Sequence, residues 1–232
     1  SVLYKKNRNL YFTNDFITAT KKRGYAFIVE GYFDVLSLNK LGYSNAASPS
    51  GTALTYQQLD SVSRYTNKIL ICFDNDEAGL KATERVLDIK NEVSKQLEIH
   101  CLNLPSEYKD ISEVFELKPD TFNDILKNNN EIVEYLLNKF LKQDSNKKNV
   151  FNYFQKITSK LSPLEVDIAL DLLSEKLSTE KEILKRELKF QTVNDVEKVS
   201  ETSLDSVSIF KDIVTSNIVK NNYEPSEEEK EI

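Results

Sequence analysis

The first half of the chain alternates short apolar runs with amphipathic stretches. The runs at residues 25–30 and 68–74 have the length and composition of buried strands, and 45–49 and 97–104 are further strand candidates. The segments between them carry apolar residues at helical spacing. This alternation predicts an α/β fold with an open, mainly parallel sheet flanked by helices.

From about residue 121 the pattern becomes that of amphipathic helices alone. Two helix starts carry a capping-box signature, Thr55 with Gln58 and Ser162 with Glu165. The chain is therefore expected to continue from its α/β sheet into an all-α helical subdomain. The expected parts are a basic entry segment at 1–24, an α/β domain at 25–118, a helical subdomain at 119–190, and a linker or disordered acidic tail at 191–232.

Composition narrows the class of protein. A hydrophobic fraction of 40% supports a packed core, and no apolar stretch approaches the roughly 18 residues of a membrane span. Cys72 and Cys101 fall in predicted strands and form no CxxC pair, which favours reduced core thiols and a cytoplasmic protein. The chain starts at Ser1 and contains no methionine, so we expect a piece of a longer protein. Its net charge of −6 argues against a free-standing nucleic-acid-binding surface.

Acidic residues follow several of the predicted strands. Glu30 ends the first strand, Asp74 and Asp76 end the third, and Asp110 follows the fourth, while Asp34 lies one helical turn beyond Glu30. Ligands of open α/β sheets bind at the carboxyl ends of the strands, so these side chains are expected to meet in one crevice. Packed carboxylates repel one another unless a cation neutralises them, and hard oxygen ligands favour Mg²⁺ or Mn²⁺.

Three other interpretations of the acidic residues stay open. Each acid could simply cap the helix that follows it. An Asp-x-Asp pair at a strand end also marks the haloacid-dehalogenase phosphatases, but Ala78 occupies the place of their Thr or Val, and their motif belongs to the first strand. A zinc site is disfavoured because His100 is the only histidine and lies in mid-strand.

Four stretches together resemble the motifs of the topoisomerase-primase (Toprim) domain of bacterial DnaG-type replicative primases. Their order and spacing match that family, and a fifth stretch resembles the basic segment that leads into the domain. The resemblance covers about residues 1–190. The four motifs and the basic segment are VEGYFDVLSL at 29–38, SGTALT at 50–55, FDNDEAGLKA at 73–82, LPSEYKDISEVF at 104–115, and YKKNRNLY at 4–11.

The resemblance implies roles for individual residues. Glu30 matches a glutamate that acts in proton transfer or metal binding. The implied catalytic residues are Glu30, Asp34, Asp74 and Asp76; the implied metal ligands are Glu30, Asp74, Asp76 and Asp110; the implied phosphate-binding residues are Lys6 and Arg8. One departure concerns the family's Asp-Pro-Asp, which here is Asp110-Ile111-Ser112, so that one metal site is short of a carboxylate or recruits Glu113 instead.

The resemblance also implies a function, that of a DNA primase. Such an enzyme joins ribonucleoside triphosphates into an RNA primer on single-stranded DNA, with two Mg²⁺ or Mn²⁺ ions and no zinc in this segment. A replicative helicase is an expected partner, through a region outside this chain, and no membrane is involved. We expect little polymerisation by the segment alone. The alternatives are another Toprim enzyme, such as a nuclease or topoisomerase, or a docking segment of the replisome without activity of its own.

Overall fold

The computed structural model of the chain describes residues 8–189. The chain divides after Leu173 into two compact units. In the second unit, the Ser174 hydroxyl donates to the Thr179 carbonyl at 2.8 Å, and the chain is helical from 181 to the last described residue. The first unit holds the sheet and the acidic residues, and the following paragraphs concern that unit.

The first unit is built on a six-stranded sheet. Its strands lie in the order β1-β3-β2-β4-β5-β6. The four inner strands pair in parallel, while β1 and β6 pair antiparallel at the two edges. The strands are β1 (Tyr11–Phe12), β2 (Tyr25–Val29), β3 (Ala46–Ser48), β4 (Lys68–Cys72), β5 (Glu98–Leu102) and β6 (Asn129–Glu131).

Helices connect the strands and cover the sheet. They are α1 (Phe16–Arg23), α2 (Tyr32–Lys40), α3 (Tyr56–Ser63), α4 (Glu77–Lys90), α5 (Ile111–Leu117), α6 (Phe122–Lys127), α7 (Ile132–Gln143), α8 (Lys147–Thr158) and α9 (Pro163–Leu177), with a 3-10 turn at Pro119–Thr121. None of the described helices is long and apolar enough to cross a membrane.

The central strands are apolar because both of their faces are covered. In β2, residues Ala26 to Val29 are fully buried, and in β4 the residues from Ile69 to Cys72 are at most 5% exposed. The parallel register places Val29 beside Cys72. The next residues of both strands therefore leave the sheet at the same edge, which brings Glu30 close to Asp74.

The predicted α/β fold is confirmed, and so are both capping boxes. The Thr55 hydroxyl accepts from Gln58 N while the Gln58 side chain accepts from Thr55 N. At the start of α9, Ser162 N donates to the Glu165 carboxylate at 2.8 Å. Cys72 and Cys101 are free and buried, as expected for core thiols.

Three elements differ from the sequence prediction. The strand β1 and the helix α1 lie in the stretch that was predicted only as a basic entry segment. The prediction of helices alone from residue 121 is wrong at Asn129–Glu131, which form β6 because Asn129 and Asn130 pair with Leu102 and Cys101 on β5. The predicted tail at 191–232 lies outside the described residues.

Candidate active site

The five predicted acidic residues line one cleft at the carboxyl ends of the parallel strands. The cleft has a volume of about 1440 Å³. The loops after β2, β4 and β5 supply four of the acids and the first turn of α2 supplies Asp34, while the loop after β3, which contains Gly51, closes one side. The acids in its lining are Glu30, Asp34, Asp74, Asp76 and Asp110.

Glu30 is tied to the loop that follows β4. Its Oε1 accepts a hydrogen bond from the Asp74 backbone N–H at 3.1 Å. Burial raises the pKa of Glu30, and the negative charges of Asp74 and Asp76 raise it further, against the lowering effect of that hydrogen bond. The Glu30 carboxyl group therefore holds a proton more readily than an ordinary glutamate.

Asp76 caps α4, and a glycine brings the cap close to Asp74. Asp76 Oδ1 accepts from Gly79 N at 2.9 Å. A Cβ atom on Gly79 would lie only 2.0 Å from the Asp74 carbonyl oxygen, so no larger residue fits without a backbone shift. The spacing Asp-x-Asp-x-x-Gly thus places Asp74 and Asp76 against the first turn of α4.

Asp110 caps α5 in the same way. Its Oδ1 accepts from Glu113 N at 2.9 Å, and Glu113 Oε2 accepts from Lys109 N at 2.7 Å. The Glu113 carboxylate, which sequence reasoning offered as a substitute metal ligand, therefore stabilises the entry to α5.

Asp34 is the most buried of the acids, at 7% exposed. Its Oδ2 accepts from Gly31 N at 3.0 Å and its Oδ1 accepts from the Ser112 hydroxyl at 2.8 Å. Burial raises the pKa of Asp34, and the charges of Asp110 and Asp74 add to that rise. Asp34 thus connects the loop after β2 to the start of α5, and Ser112 serves it as a hydrogen-bond donor.

Sequence reasoning missed a basic residue in the site. Lys109 Nζ lies 3.1 Å from Asp74 Oδ2, and Asp74 raises the pKa of Lys109. The Lys109 carbonyl also accepts from Asn75 N at 2.6 Å. The only sequence signal was a lysine adjacent to Asp110, which is too common a neighbour to be diagnostic.

Asn75 joins three parts of the fold behind the acids. Its side-chain amide donates to the carbonyls of Pro105 and Tyr108, both at 3.2 Å, and its Oδ1 accepts from Lys139 on α7 at 2.5 Å. The residue between the two acids therefore holds the loops after β4 and β5 together. A glycine at this position could not make these side-chain bonds.

The donor chemistry of the cleft fits a hard divalent cation. The acids offer carboxylate oxygens only. Burial raises the pKa of Glu30 and of Asp34, and the neighbouring negative charges raise both further; a bound cation would offset these effects. Within residues 8–189, however, no three acidic, histidine or cysteine side chains already stand in a metal-binding arrangement. Asp76 and Asp110 each use one oxygen for a helix cap.

Two further residues named from the sequence, Arg8 and His100, are not part of the cleft lining. Arg8 is exposed at the start of the described chain, and Lys6 lies outside the described residues, so their phosphate-binding role stays a prediction. His100 contacts Glu98 on its own strand at 2.9 Å and does not line the cleft.

Comparison with known proteins agrees with this architecture. Residues 27–115 match the family described as Toprim-like. The DNA primase of Aquifex aeolicus is 30% identical over 154 residues, which are 66% of this chain and 30% of that protein. The DNA primase of Clostridium acetobutylicum is 32% identical over 180 residues, or 75% of this chain and 30% of the relative. The chain thus spans about 30% of the length of these relatives.

Solved structures give the same result at the level of the fold. The zinc-binding and RNA polymerase domains of the Aquifex aeolicus primase superpose with a TM-score of 0.63 at 28% identity, over 79% of this chain and 45% of that one. The RNA polymerase domain of Mycobacterium tuberculosis primase DnaG superposes with a TM-score of 0.65 at 20% identity, over 75% of this chain and 58% of that one. The second likeness concerns the fold alone.

Proposed function

Since the chain carries a Toprim-like domain and is homologous to bacterial DNA primases, we propose that it supplies the catalytic centre of primer synthesis. The reaction is the joining of ribonucleoside triphosphates on a single-stranded DNA template. One observation carries the proposal: acids from the ends of β2, β4 and β5 line a single cleft. No observation on the described residues favours a nuclease or topoisomerase.

The chemistry is a phosphoryl transfer. The 3′-hydroxyl of one nucleotide attacks the α-phosphorus of the next, an O–P bond forms, and the bond to pyrophosphate breaks. Two Mg²⁺ or Mn²⁺ ions, when bound, would lower the pKa of the attacking hydroxyl and neutralise the pyrophosphate. Glu30, whose Oε1 already accepts from Asp74 N at 3.1 Å, would either accept the hydroxyl proton or, as a cation ligand, help to lower the pKa of that hydroxyl.

The other acids divide between holding the cations and holding Glu30 in place. Asp74, Asp76 and Asp110 would bind the cations together with Glu30. Asp34 uses both carboxylate oxygens within the protein, on Gly31 and Ser112. We therefore assign Asp34 to positioning Glu30, through the backbone of the adjacent Gly31.

Calorimetric titration with Mn²⁺ tests the cation site directly. The 232-residue chain is expected to bind Mn²⁺, and the double variant Asp74→Ala/Asp76→Ala is expected to lose at least ten-fold in affinity, because two of the four proposed ligands are gone. The matched control is Asp120→Ala/Asp124→Ala, which removes the same charge outside the cleft. Equal binding by both double variants would contradict the assignment.

Incorporation of labelled ribonucleotides on single-stranded DNA tests the reaction itself. Product that requires both a divalent cation and an intact Asp76 supports primer synthesis. Asp76→Asn keeps an oxygen acceptor for Gly79 N, so its loss of product would reflect the missing charge rather than a broken helix cap. Undiminished synthesis by Asp76→Asn would overturn the proposal.

A further inference from the structure

Three exposed aromatic rings form a continuous strip beside the candidate active site. Tyr11, Tyr32 and Phe33 are 40%, 47% and 63% exposed. The Tyr32 and Phe33 ring centroids are 4.3 Å apart, and those of Tyr11 and Tyr32 are 6.1 Å apart. Single exposed apolar residues are ordinary, but adjoining aromatic rings at the edge of a cleft indicate a binding surface. We call these three residues the aromatic strip.

The strip opens directly into the acidic cleft. Tyr32 and Phe33 belong to its lining, and they are the first two residues of α2, immediately after Glu30 and Gly31. The helix beneath them is firmly seated, since Val35 and Leu38 are buried in the core. The rings are therefore presented to solvent from a rigid support, within a few residues of the reacting groups.

Basic residues line the same cleft. Lys81 and Arg85 lie one turn apart on α4, and Lys40 lies at the end of α2. Arg85 is exposed and forms no ion pair within residues 8–189. Lys81 pairs with Glu77 at 2.6 Å, but both side chains are more than half exposed, so that pair is weak. The cleft thus presents flat apolar rings together with cations that are available to an anion.

Only a ligand with planar apolar groups and regularly spaced negative charges matches both features. Unpaired bases stack on aromatic rings while the phosphates of the same strand meet lysine and arginine. An incoming nucleotide has one base, whereas the strip has three adjoining rings and is open to solvent. A strand suits this surface better than a single nucleotide.

We propose that the aromatic strip is a stacking platform for unpaired bases of the single-stranded DNA template, with Arg85 and Lys81 facing its phosphates. The inference rests on the proposed function, because it names how the template is held at the same cleft. Each base–ring stack contributes enough that removing a ring weakens binding on the order of ten-fold.

Paired DNA probes test the platform. Fluorescence anisotropy is measured with a labelled oligothymidylate of about twelve nucleotides and with an abasic strand of the same length, both in EDTA. The wild-type chain is expected to prefer the strand with bases. The double variant Tyr32→Ala/Phe33→Ala is expected to lose that preference, on the order of ten-fold for each ring removed, while its binding to the abasic strand stays unchanged. Phe33→Tyr, which keeps a ring, should retain the preference.

Controls separate stacking from other causes. Leu164→Ala removes an exposed apolar side chain, 71% exposed on α9, and should leave both affinities unchanged. Equal affinity of the wild-type chain for both strands, or an equal loss on both strands in the double variant, would overturn the proposal. So would a change of sedimentation behaviour in Tyr32→Ala/Phe33→Ala without a change of DNA binding, because it would identify the strip as a contact between copies of the chain.

The binding test is independent of the chemistry. It uses no divalent cation and no nucleotide triphosphate, so its outcome does not depend on synthesis. Undiminished synthesis by Asp76→Asn in a chain that prefers bases would contradict the proposed primer synthesis and leave the platform standing. A chain that incorporates ribonucleotides but shows no preference for the strand with bases would support primer synthesis and contradict the platform.

Discussion

At the scale of single residues, Gly79 decides how closely Asp74 approaches α4. Helix propensity alone predicts that Gly79→Ala stabilises the protein by up to about 1 kcal/mol. Sterically the change is prohibitive, since the new Cβ would lie 2.0 Å from a backbone oxygen. We expect the clash to dominate and the free energy of unfolding in urea to fall by about 2 kcal/mol or more. The matched variant Ala78→Gly should lose only about 1 kcal/mol from helix propensity, and a stabilised Gly79→Ala would contradict the close approach.

Ser112 stands where the related motif has a second carboxylate, and its substitution tests the charge of the cleft. Ser112→Asp would place a second acid next to Asp34 Oδ1, which now accepts from the Ser112 hydroxyl at 2.8 Å. Repulsion should lower the melting temperature in EDTA. Added Mn²⁺ should raise it more in this variant than in the wild type, because a cation offsets the extra charge.

The uncharged variant Ser112→Asn is the control for size. It adds the same number of heavy atoms without a charge, so its response to Mn²⁺ should match that of the wild type. A response equal to that of Ser112→Asp would show that charge at this position does not act on the cation site.

The acids of the site could be found from sequence because each of them follows the end of a predicted strand or lies one helical turn beyond it. Strand ends of a parallel sheet share one edge, so Glu30, Asp74 and Asp110 had to come together once the strands were located. Their contacts could not be found. The pairing of Lys109 with Asp74, and of Asn75 with Lys139, depends on how loops distant in sequence are packed.

At the scale of elements, one ion pair joins α4 to α9. Lys90 Nζ contacts Glu165 Oε1, and the Lys90 side chain is only 9% exposed while that of Glu165 is 37% exposed. Glu165 also accepts from Ser162 in the capping box. Glu165→Gln should lower the free energy of unfolding at pH 7 by about 1–2 kcal/mol, a value reduced from that of a fully buried pair because Glu165 is partly solvated.

The same pair predicts a dependence on pH. Burial acts to raise the pKa of Glu165, but the hydrogen bonds from Lys90 and Ser162 outweigh it and hold the pKa below its ordinary value of 4.5. A lowered pKa in the folded state stabilises the protein above that value, and the stabilisation is lost as the pH falls through the folded pKa. The difference between wild type and Glu165→Gln should therefore shrink toward pH 3 in urea unfolding.

A surface pair provides the comparison for this experiment. Glu77→Gln breaks the exposed pair with Lys81, and because both side chains are solvated this change should have little effect on the free energy of unfolding at any pH. If Glu165→Gln behaved like Glu77→Gln, the contact between α4 and α9 would not depend on the ion pair.

Elements were predictable where their signals were local. Each of the two capping boxes depends on a pair of residues only three positions apart. The central strands are recognisable because they are covered on both faces and are therefore apolar throughout. The strands β1 and β6 have two and three residues and carry no apolar pattern. They are strands only because β3 and β5 offer them partners, which is information from the tertiary structure.

At the scale of the whole molecule, the proposed function requires the chain to bind a polyanion although its net charge is −6. Nonspecific attraction cannot provide the affinity, so binding to single-stranded DNA has to depend on where the few available cations lie. The basic residues at the cleft are local exceptions to the net charge. Binding should therefore be weak, only modestly dependent on salt because few phosphates are contacted, and sensitive to individual cations that line the cleft.

Arg85 provides the sharpest test of this distribution of charge. Each phosphate contact contributes about 0.7 to the slope of log affinity against log salt for single strands. Arg85→Ala should therefore reduce the magnitude of that slope by about 0.7. It should weaken the binding of abasic and base-containing strands equally, because it removes a charge and no ring. The control Arg64→Ala removes the same charge just after α3. Arg64 lies 3.9 Å from Asp60 and does not line the cleft, so this variant should leave the slope unchanged. Equal slopes for the two variants would mean that the net charge of the chain, rather than the position of its cations, controls DNA binding.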